Sequence, residues 1–568
     1  MKQREWVVAK PAKKGLVEKI SAKLDILPIT AGLLVNRGIS SAEDAEAFLS
    51  ASLSDLPTPF LMKGMEEAVE RLCICIYEKE KAAIYGDYDV DGVTATSLLT
   101  GFLRALGCDV IYYIPDRLKE GYGVNSQALC ALKQKGVTLV VSVDCGITAV
   151  DEVAQARELG MDFIVTDHHS FYGQPPEAVA VLNPRQKGCM YPGKEIAGVG
   201  VAFNLALGLR RTLREKGFFK TKTEPNMGDF LDLVSLGTVS DRMPVESVNR
   251  IMLREGLKRM ESPKRLGLQA LKKISGIREG IETFDIGFRL GPRINAAGRL
   301  DSADKAVELL LSESQEDVFS LAKFLDEKNS ERRDIEARIQ QDATQMVESM
   351  PGHSESNSLV LSSSKWHKGV LGIVASSLAG SYGKPTFLIS VDKNGVGKGS
   401  GRSFGGVNIF SVLSECEDIL MKFGGHAYAA GITIREEKID LFRERFSEEL
   451  AKSGQKPEHR LDIDCEVSFS SINDTLVSEV ESISPFGAGN PEPLFLLKSI
   501  EVVDQKLHKN QHISFKARGI NSVLNCIWFY ASRKHLPQKI DMVFALRFDM
   551  RDRKRECRLF IKDIREIS

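Results

Sequence analysis

The sequence predicts a multidomain α/β protein that ends in a small β-barrel, and three observations predict it. Strand-like apolar runs alternate with helical patterns from Lys81 to His169, the rhythm of a doubly wound parallel sheet. A second α/β segment follows a long charged stretch and continues to about Leu450. Beyond Arg460 the texture changes to short apolar runs with few helical patterns. At 568 residues the chain is too long for one core.

Each element follows from its local pattern. Ala82–Tyr85 is an apolar run that reads as a buried strand, and a helical pattern covers Val93–Leu106. Cys108–Pro115 predicts a strand, and Ser126–Lys135 a helix with Ser126 as N-cap and Gly136 past its end. Val137–Asp144 is a strand, Thr148–Leu159 a helix closed by Gly160, and Met161–Thr166 a strand. From Ile196 to Leu309 the pattern is mostly helical. In Glu316–Met350 the residues Leu321, Phe324, Leu325, Ile335, Ile339, Met346 and Met350 recur mostly at three- and four-residue steps. That spacing predicts one long helix bridging two domains, the alternative being two helices broken near Asn329. Polar breaks are expected at Pro351–Ser358 and Ser453–Glu458. Five later runs, Ile500–Val503, His512–Ala517, Val523–Tyr530, Met542–Phe548 and Arg558–Ile564, suit a barrel, an OB-fold among the options. The expected partition is 1–55, 56–313, 314–350, 351–454 and 455–568. The two α/β domains are expected to fold without the barrel.

Composition narrows the class. Hydrophobic residues at 43% and charged residues at 27% are ordinary for a globular protein, and a net charge of −1 gives no global signal for nucleic acid. Locally, Glu501–Ser568 carries 15 Lys/Arg against 8 Asp/Glu. The ten cysteines are scattered without a C-x-x-C pair, so neither a thiolate zinc site nor a thioredoxin-type pair is indicated. Such free cysteines suit a reducing cytosol. The N-terminus lacks an apolar leader and no run approaches a membrane span, so a cytoplasmic protein is expected.

The densest chemical signal is Gly86-Asp87-Tyr88-Asp89-Val90-Asp91-Gly92, three aspartates in a strand-to-helix turn. Ligands bind an α/β sheet at the carboxyl ends of its strands, and three carboxylates there repel one another unless a cation sits among them. The later strands also end on acids or histidines: Val137–Val143 on Asp144, and Ile164–Thr166 on Asp167-His168-His169. Asp241 closes an apolar helical run from Leu236. Carboxylates with imidazole and no thiolate favour a hard or borderline divalent ion, manganese ahead of magnesium. These ligands exceed the need of one ion. Two ions sharing a carboxylate would suit in-line phosphoryl displacement. Asp167 reads as a residue that orients a histidine.

Asp-His-His after a strand, with D-x-D and Val143-Asp144-Cys145-Gly146 upstream, resembles the DHH phosphoesterase superfamily. Phe423–Gly431, with its Gly424-Gly425-His426 and Ala429-Ala430-Gly431, is similar to the associated DHHA1 signature. Together with Gly86–Gly92, Pro292–Arg299, Trp366–Val370 and Pro485–Pro491, the chain resembles the RecJ single-strand DNA exonucleases from about Tyr85 to its end. The resemblance implies a DHH parallel-sheet domain, a long connecting helix, a DHHA1 domain and an OB-like barrel. It implies a 5′→3′ exonuclease on single-stranded DNA that releases mononucleotides using Mn2+ or Mg2+, in DNA repair and recombination. The alternative is a DHH phosphodiesterase acting on oligoribonucleotides or small nucleotides. By motif the metal ligands are Asp89, Asp91, Asp144, His168 and Asp241, with His169 nearer the scissile phosphate and catalysis resting on His169 and Asp144. Some superfamily members carry a metal-binding His where Tyr85 stands. Either Asp87 substitutes for it or one ion binds weakly. Single-strand-binding protein and a RecQ-type helicase are partners implied by the family alone, and a monomer is expected.

Substrate grip is expected at four places. Lys398-Gly399-Ser400-Gly401-Arg402-Ser403 reads as a glycine-spaced loop able to cradle a phosphate with backbone N–H groups. By resemblance Ser400, Arg402 and Arg117 take the 5′-phosphate. Arg293, Asn295 and Arg299 are expected along the DNA path, and Gly425 and His426 near the cleaved nucleotide. In the barrel, Lys516, Arg518, Trp528 and Tyr530 are the candidates for stacking and phosphate contact. Strand alternation would put Trp528 and Tyr530 on one face and Phe529 on the other.

Overall fold

The strand Lys81–Tyr85 is almost wholly buried and lies inside a five-stranded parallel sheet. Its neighbours are Asp109–Tyr113 on one side and Leu139–Val143 on the other, followed by Asp162–Thr166 and Ala180–Leu182. The chain order therefore reverses beside Lys81–Tyr85, and the crevice at such a switch point is where doubly wound sheets bind ligands. The structure, a computed structural model, describes residues 4–567 except 118, 279, 351–355, 456–457, 520–521 and 552–553. The breaks expected at Pro351–Ser358 and Ser453–Glu458 thus lie partly outside the described residues.

The expected elements of this sheet are present, with two local corrections. The helix after the second strand is Ser126–Gln134, and its N-cap is Asn125, whose side chain accepts from the Ala128 N–H at 2.8 Å. Asn and Ser are equally good caps, so composition did not choose between them. The edge strand Ala180–Leu182 is only three residues long, too short to show a period.

The described chain forms two compact units. One holds Trp6–Pro115, Gly123–Gly291 and Leu461–Ser568; the other holds Met1–Glu5, Asp116–Tyr122 and Pro292–Arg460. In the first unit, Phe495–His508, His512–Arg518, Val523–Trp528, Lys539–Arg551 and Lys554–Glu566 close into a five-stranded barrel. The third and fifth of these strands pair in parallel and the first closes on the fourth, which is the OB arrangement. Its core is not self-contained. Ile20, Ala31, Leu33, Leu34 and Ala45 of the N-terminal helices are buried in the same cluster as Phe495, Phe515, Trp528 and Phe544. The barrel-side segment is also bound to the sheet domain: Val245 N–H donates to Ala488 at 2.7 Å, and the Thr283 hydroxyl donates to Phe486 at 2.6 Å. Arg250, 2% exposed, donates to the carbonyls of Phe48 and Ile483 at 3.0 and 2.8 Å. For the sheet domain these contacts stand against the expectation that it folds without the barrel, while the core of the second α/β domain contains no barrel residue.

In the second unit one helix spans Gln315–Ser349, capped by Ser314. It passes unbroken through Asn329, which is buried at 1% exposure. Its C-terminal half packs Ile339, Ala343 and Val347 onto the second α/β domain. The sheet of that domain runs Lys422–His426, Ala429–Arg435, Val396–Arg402, Thr386–Val391, Leu359–Ser363, with only the last pair parallel.

Candidate metal centre and phosphate pocket

Three adjacent parallel strands deliver the acids and histidines to one sheet edge. Lys81–Tyr85 leads into Asp87, Asp89 and Asp91; Leu139–Val143 leads into Asp144; Asp162–Thr166 leads into Asp167-His168-His169. Asp241 comes from elsewhere, as the C-cap of the helix Leu231–Ser240. The His168 Nε2 lies 3.1 Å from Asp144 Oδ1, 3.6 Å from Asp241 Oδ2 and 3.7 Å from Asp91 Oδ2. The donor atoms group as Asp91–His168–Asp241, Asp144–His168–His169 and Asp87–Asp89–Asp144, each within 4.8 Å. Asp144 belongs to two of these groups.

Backbone hydrogen bonds hold the candidate ligands in place. Asp89 caps the helix Val90–Ala105, accepting from the N–H groups of Asp91 and Gly92 at 2.9 and 3.2 Å. Asp91 accepts from Gly198 and Val199 N–H at 2.6 and 2.8 Å, the first turn of the helix Gly198–Glu215. Asp144 sits at φ +60, a left-handed conformation that aspartate tolerates better than most residues. A Cβ at Gly198 would lie 2.7 Å from the Asp144 side chain, so glycine is needed there. Gly198, Val199 and Asn183 were not foreseen. Asn183 donates to the His169 carbonyl at 2.9 Å. The run Ala197-Gly198-Val199-Gly200 offered a signal, because paired glycines at a helix start permit close approach.

Electrostatics separates the two histidines. His168 is buried and its imidazole is pushed down to about 3, by desolvation first and then by His169. It is neutral at pH 7, with a backbone hydrogen bond at Ile196. Burial also opposes charge on His169, but the hydrogen bond and charge of Asp167 outweigh it and raise that imidazole to about 9. Asp167 Oδ1 meets His169 Nδ1 at 2.8 Å and accepts from the His168 and His169 N–H groups, while Oδ2 accepts from Ile147 N–H. It holds His169, as its place in the sequence suggested. Burial, then the neighbouring carboxylates, push Asp91 up to about 7, Asp241 up to about 8 and Asp144 well above its usual range.

The donor set fits divalent cations. His168 Nε2 and Asp241 Oδ2 are buried with no hydrogen-bond partner, and repelling carboxylates surround a neutral imidazole lone pair. Tyr85 is turned away from this cluster: its hydroxyl donates to Gly123 and accepts from Asn125, each at 3.1 Å.

The candidate phosphate-binding residues of the second unit are arranged differently from expectation. Lys398–Ser403 is not a loop, because Val396–Arg402 is a strand paired on both sides. Its N–H groups are used by the sheet and cannot cradle an anion. The glycines serve packing: a Cβ at Gly399 would meet Ile432 at 2.6 Å, and one at Gly401 would meet Phe387 at 2.2 Å. Lys398, Ser400 and Arg402 alternate with them. Arg402 donates to Ser400 Oγ at 3.0 Å and to the Gly401 carbonyl at 2.8 Å. Burial, then Arg117, lower its guanidinium. A cavity of about 280 Å³ is lined by Arg117, Lys119, Lys368, Lys398 and Ser400. Lys368 and Lys398 were missed as pocket residues, though both stand in the quoted motifs.

Other candidates separate. Arg293 is buried against Asp326 at 2.8 Å, a structural ion pair rather than a side chain presented to a strand. Asn295 is half-buried on the same helix. Arg299 donates to the Gly369 carbonyl at 2.9 Å, and burial, then Arg117, lower it to about 10. Gly425 and His426 are exposed at the end of Lys422–His426, where φ +141 and the Ala429 carbonyl exclude a side chain at Gly425. In the barrel, Trp528 is 5% exposed and belongs to the core, so its expected place as a stacking residue is corrected. Its strand ends there, and Tyr530 at φ +50 breaks the alternation, leaving Phe529 and Tyr530 both exposed at 49% and 77%. Lys516 and Arg518 pair with Asp504 and Glu501 at 2.7 and 3.3 Å.

Comparison with known proteins agrees with this architecture. The DHH family N-terminal domain matches residues 81–238, the DHHA1 domain 355–452 and the RecJ OB domain 463–563. The single-stranded-DNA-specific exonuclease RecJ of Bacillus subtilis is 38% identical over 98% of this chain and 70% of its own length. This chain belongs to the RecJ family. The Salmonella typhimurium RecJ is 35% identical over 95% of this chain and 96% of its own. The crystal structure of Thermus thermophilus RecJ in complex with Mn2+ superposes with a TM-score of 0.85 at 28% identity, covering all of this chain and 80% of that one. A Mg2+ complex of the same protein has a TM-score of 0.79. Among the described residues no helix is long and apolar enough to cross a membrane.

Proposed function

We propose that this RecJ-family protein is a metal-dependent 5′→3′ exonuclease on single-stranded DNA that releases 5′-mononucleotides. The observation that carries the reading is the gathering of Asp91, Asp144 and Asp241 within 3.1–3.7 Å of a neutral His168 Nε2. Asp87, Asp89, Asp91, Asp144, His168 and Asp241 would hold two divalent ions, Mn2+ or Mg2+, with Asp144 common to both. Bound there, the ions would supply an activated water and stabilise the leaving oxygen. His169, fixed by Asp167 through Nδ1, would present its other ring nitrogen to the scissile phosphate. Arg402, Ser400 and Arg117, with Lys368 and Lys398, would select the strand end that bears a 5′-phosphate. Arg suits this because its fork engages phosphate oxygens in pairs. Arg299 positions Gly369 at the pocket wall, and Asn295, Gly425 and His426 would meet the nucleotide being removed.

The barrel supports a polymeric strand over the oligoribonucleotide or small-nucleotide alternative. Phe529 and Tyr530 would stack bases there. A role in DNA repair and recombination, a cytoplasmic monomer, and contacts with single-strand-binding protein and a RecQ-type helicase belong to the same reading. Ten free thiols accord with a reducing compartment. The test is a time course on end-labelled single strands, with and without a 5′-phosphate, in Mn2+. Shortening from the 5′ end to mononucleotides is expected, and endonucleolytic ladders or attack confined to short oligoribonucleotides would overturn the reading.

A further inference from the structure

Two cysteines distant in sequence meet beneath the first sheet. Cys75 lies in the last turn of the helix Met65–Tyr77, and Cys108 immediately precedes the strand Asp109–Tyr113. Their Sγ atoms are 3.9 Å apart across 33 residues of sequence. Both are buried, Cys75 fully and Cys108 at 9% exposure. Among the described residues no group of three metal-ligating side chains includes either thiol, so the pair is not a metal site. A disulfide needs the sulfurs at about 2.05 Å, an approach of roughly 2 Å. Rotation about the side-chain bonds of two neighbouring thiols can supply much of that.

We propose that Cys75 and Cys108 form a reversible disulfide when the protein meets a small peroxide. The two thiols are not equivalent. Cys108 is the more accessible of the two, at 9% exposure against none for Cys75. Cys108 is therefore the thiolate that attacks, and Cys75 resolves. The Cys108 thiolate attacks one oxygen of hydrogen peroxide, the O–O bond breaks, and hydroxide leaves with the electron pair, giving a sulfenic acid. The Cys75 sulfur then attacks the Cys108 sulfur; the S–O bond breaks and water leaves with the Cys75 proton. In sum two thiols and one peroxide give one disulfide and two waters, the thiols oxidised and the peroxide reduced.

The position of the bond sets its consequence. Lys81 pairs with Asp109 in the parallel register, so Cys108 lies at the amino end of the sheet. Asp87–Asp91, Asp144 and His168 follow the carboxyl ends of the strands. The cross-link therefore ties the helix Met65–Tyr77 to the sheet without touching the metal ligands. It acts as a staple that protects two buried thiols from irreversible oxidation, and it leaves nuclease activity in place.

The experiment uses the full chain carrying Cys130→Ser, since Cys130 is the exposed cysteine. The protein is treated with graded hydrogen peroxide, quenched with catalase, alkylated in denaturant and mapped by non-reducing peptide mass spectrometry. A Cys75–Cys108 cross-linked peptide lighter by two hydrogens and lost on adding dithiothreitol is expected, with Cys73 still a thiol. In Cys75→Ser, and in Cys75→Ala as a second variant, the cross-link should vanish and dimedone should label Cys108 as sulfenic acid. The oxidised full chain should melt about a few degrees higher than the reduced one and keep its activity. Full alkylation of Cys75 and Cys108 after peroxide, a disulfide that joins another pair, or a Cys108 inert to dimedone in both variants would overturn the proposal. Loss of activity in step with the cross-link would overturn the staple.

Discussion

Asp241→Asn removes one carboxylate from a cluster that the apo protein holds against its own repulsion. The Asp241 carboxyl is raised from 3.8 to about 8, by burial first and then by Asp91 and Asp89. A folded-state value above the unfolded one means the folded protein binds the proton more tightly. The contribution of this group to apo stability is therefore full below about pH 4 and is lost as pH rises through about 8. The rise from 3.8 to about 8 sets a ceiling of roughly 6 kcal/mol. The side chain keeps 28% of its surface exposed, and protons are shared with Asp91, so about 1–3 kcal/mol is the working expectation. Asparagine keeps the size and drops the charge. In EDTA the variant should melt above wild type at pH 8, with the gap closing as pH falls towards 5. Adding Mn2+ should raise wild type strongly, about 2.7 kcal/mol at a hundredfold excess over Kd, and raise the variant much less. The assay is a pair of thermal melts across pH, with EDTA and with Mn2+. An apo variant less stable than wild type at pH 8, or equal gains from Mn2+ in both, would refute the argument.

Asp144→Asn, chosen over alanine because φ is +60 at that position, should fold normally and lose nuclease activity by orders of magnitude in steady-state assays. Arg402→Ala should impair use of 5′-phosphorylated strands far more than 5′-hydroxyl strands, and Arg402→Lys should restore it only in part; equal losses on both substrates would remove Arg402 from end recognition. Tyr530→Ala should leave melting unchanged and weaken long-strand binding by about 1–3 kcal/mol, whereas Trp528→Ala should cost about 3–5 kcal/mol of stability through the cavity it leaves. Binding isotherms and melts on both proteins separate these outcomes. Deletion of the chain after Arg460 should lower the melting temperature of what remains and promote aggregation, read by light scattering, rather than yield a well-folded nuclease with weaker affinity.

Most of the candidate metal centre was legible because the gathering of its side chains follows from one rule. Parallel strands that end on acids bring them to one edge, and each of the three motifs stands directly after an apolar run. Asp241 was legible only as the end of a helix, since no periodicity states which edge a distant helix will reach. The hydrogen bonds that hold Asp91 were hidden for the same reason: Gly198 and Val199 lie more than a hundred residues away. Glycine was the weakest guide. In Lys398–Ser403 it suggested a flexible anion cradle, but the requirement came from Phe387 and Ile432 pressing on a strand. A sequence shows where a side chain is missing, not whether a phosphate or a phenyl ring fills the space. Trp528 and Tyr530 show the matching limit for strands: two residues apart, they share a face only while the strand lasts, and it ends at Trp528.

The barrel itself reads differently once its core is known. A net excess of basic residues suggested a module that adds affinity and can be removed. Several of those bases are already paired: Lys516 with Asp504, Arg518 with Glu501, Arg558 with Asp549, and Arg547 with both Glu492 and Glu282. Paired charges release fewer counterions on binding, so the salt dependence of strand affinity should be shallower than the bare count implies. Removal of the barrel would also strip cover from Leu33, Leu34 and Ala45 and leave Arg250 without its Ile483 carbonyl. A buried guanidinium whose carbonyl partner is taken away costs more than the hydrogen bond alone. Point changes at Phe529 and Tyr530, which lie outside that core, are therefore the perturbations that can distinguish strand binding from architecture.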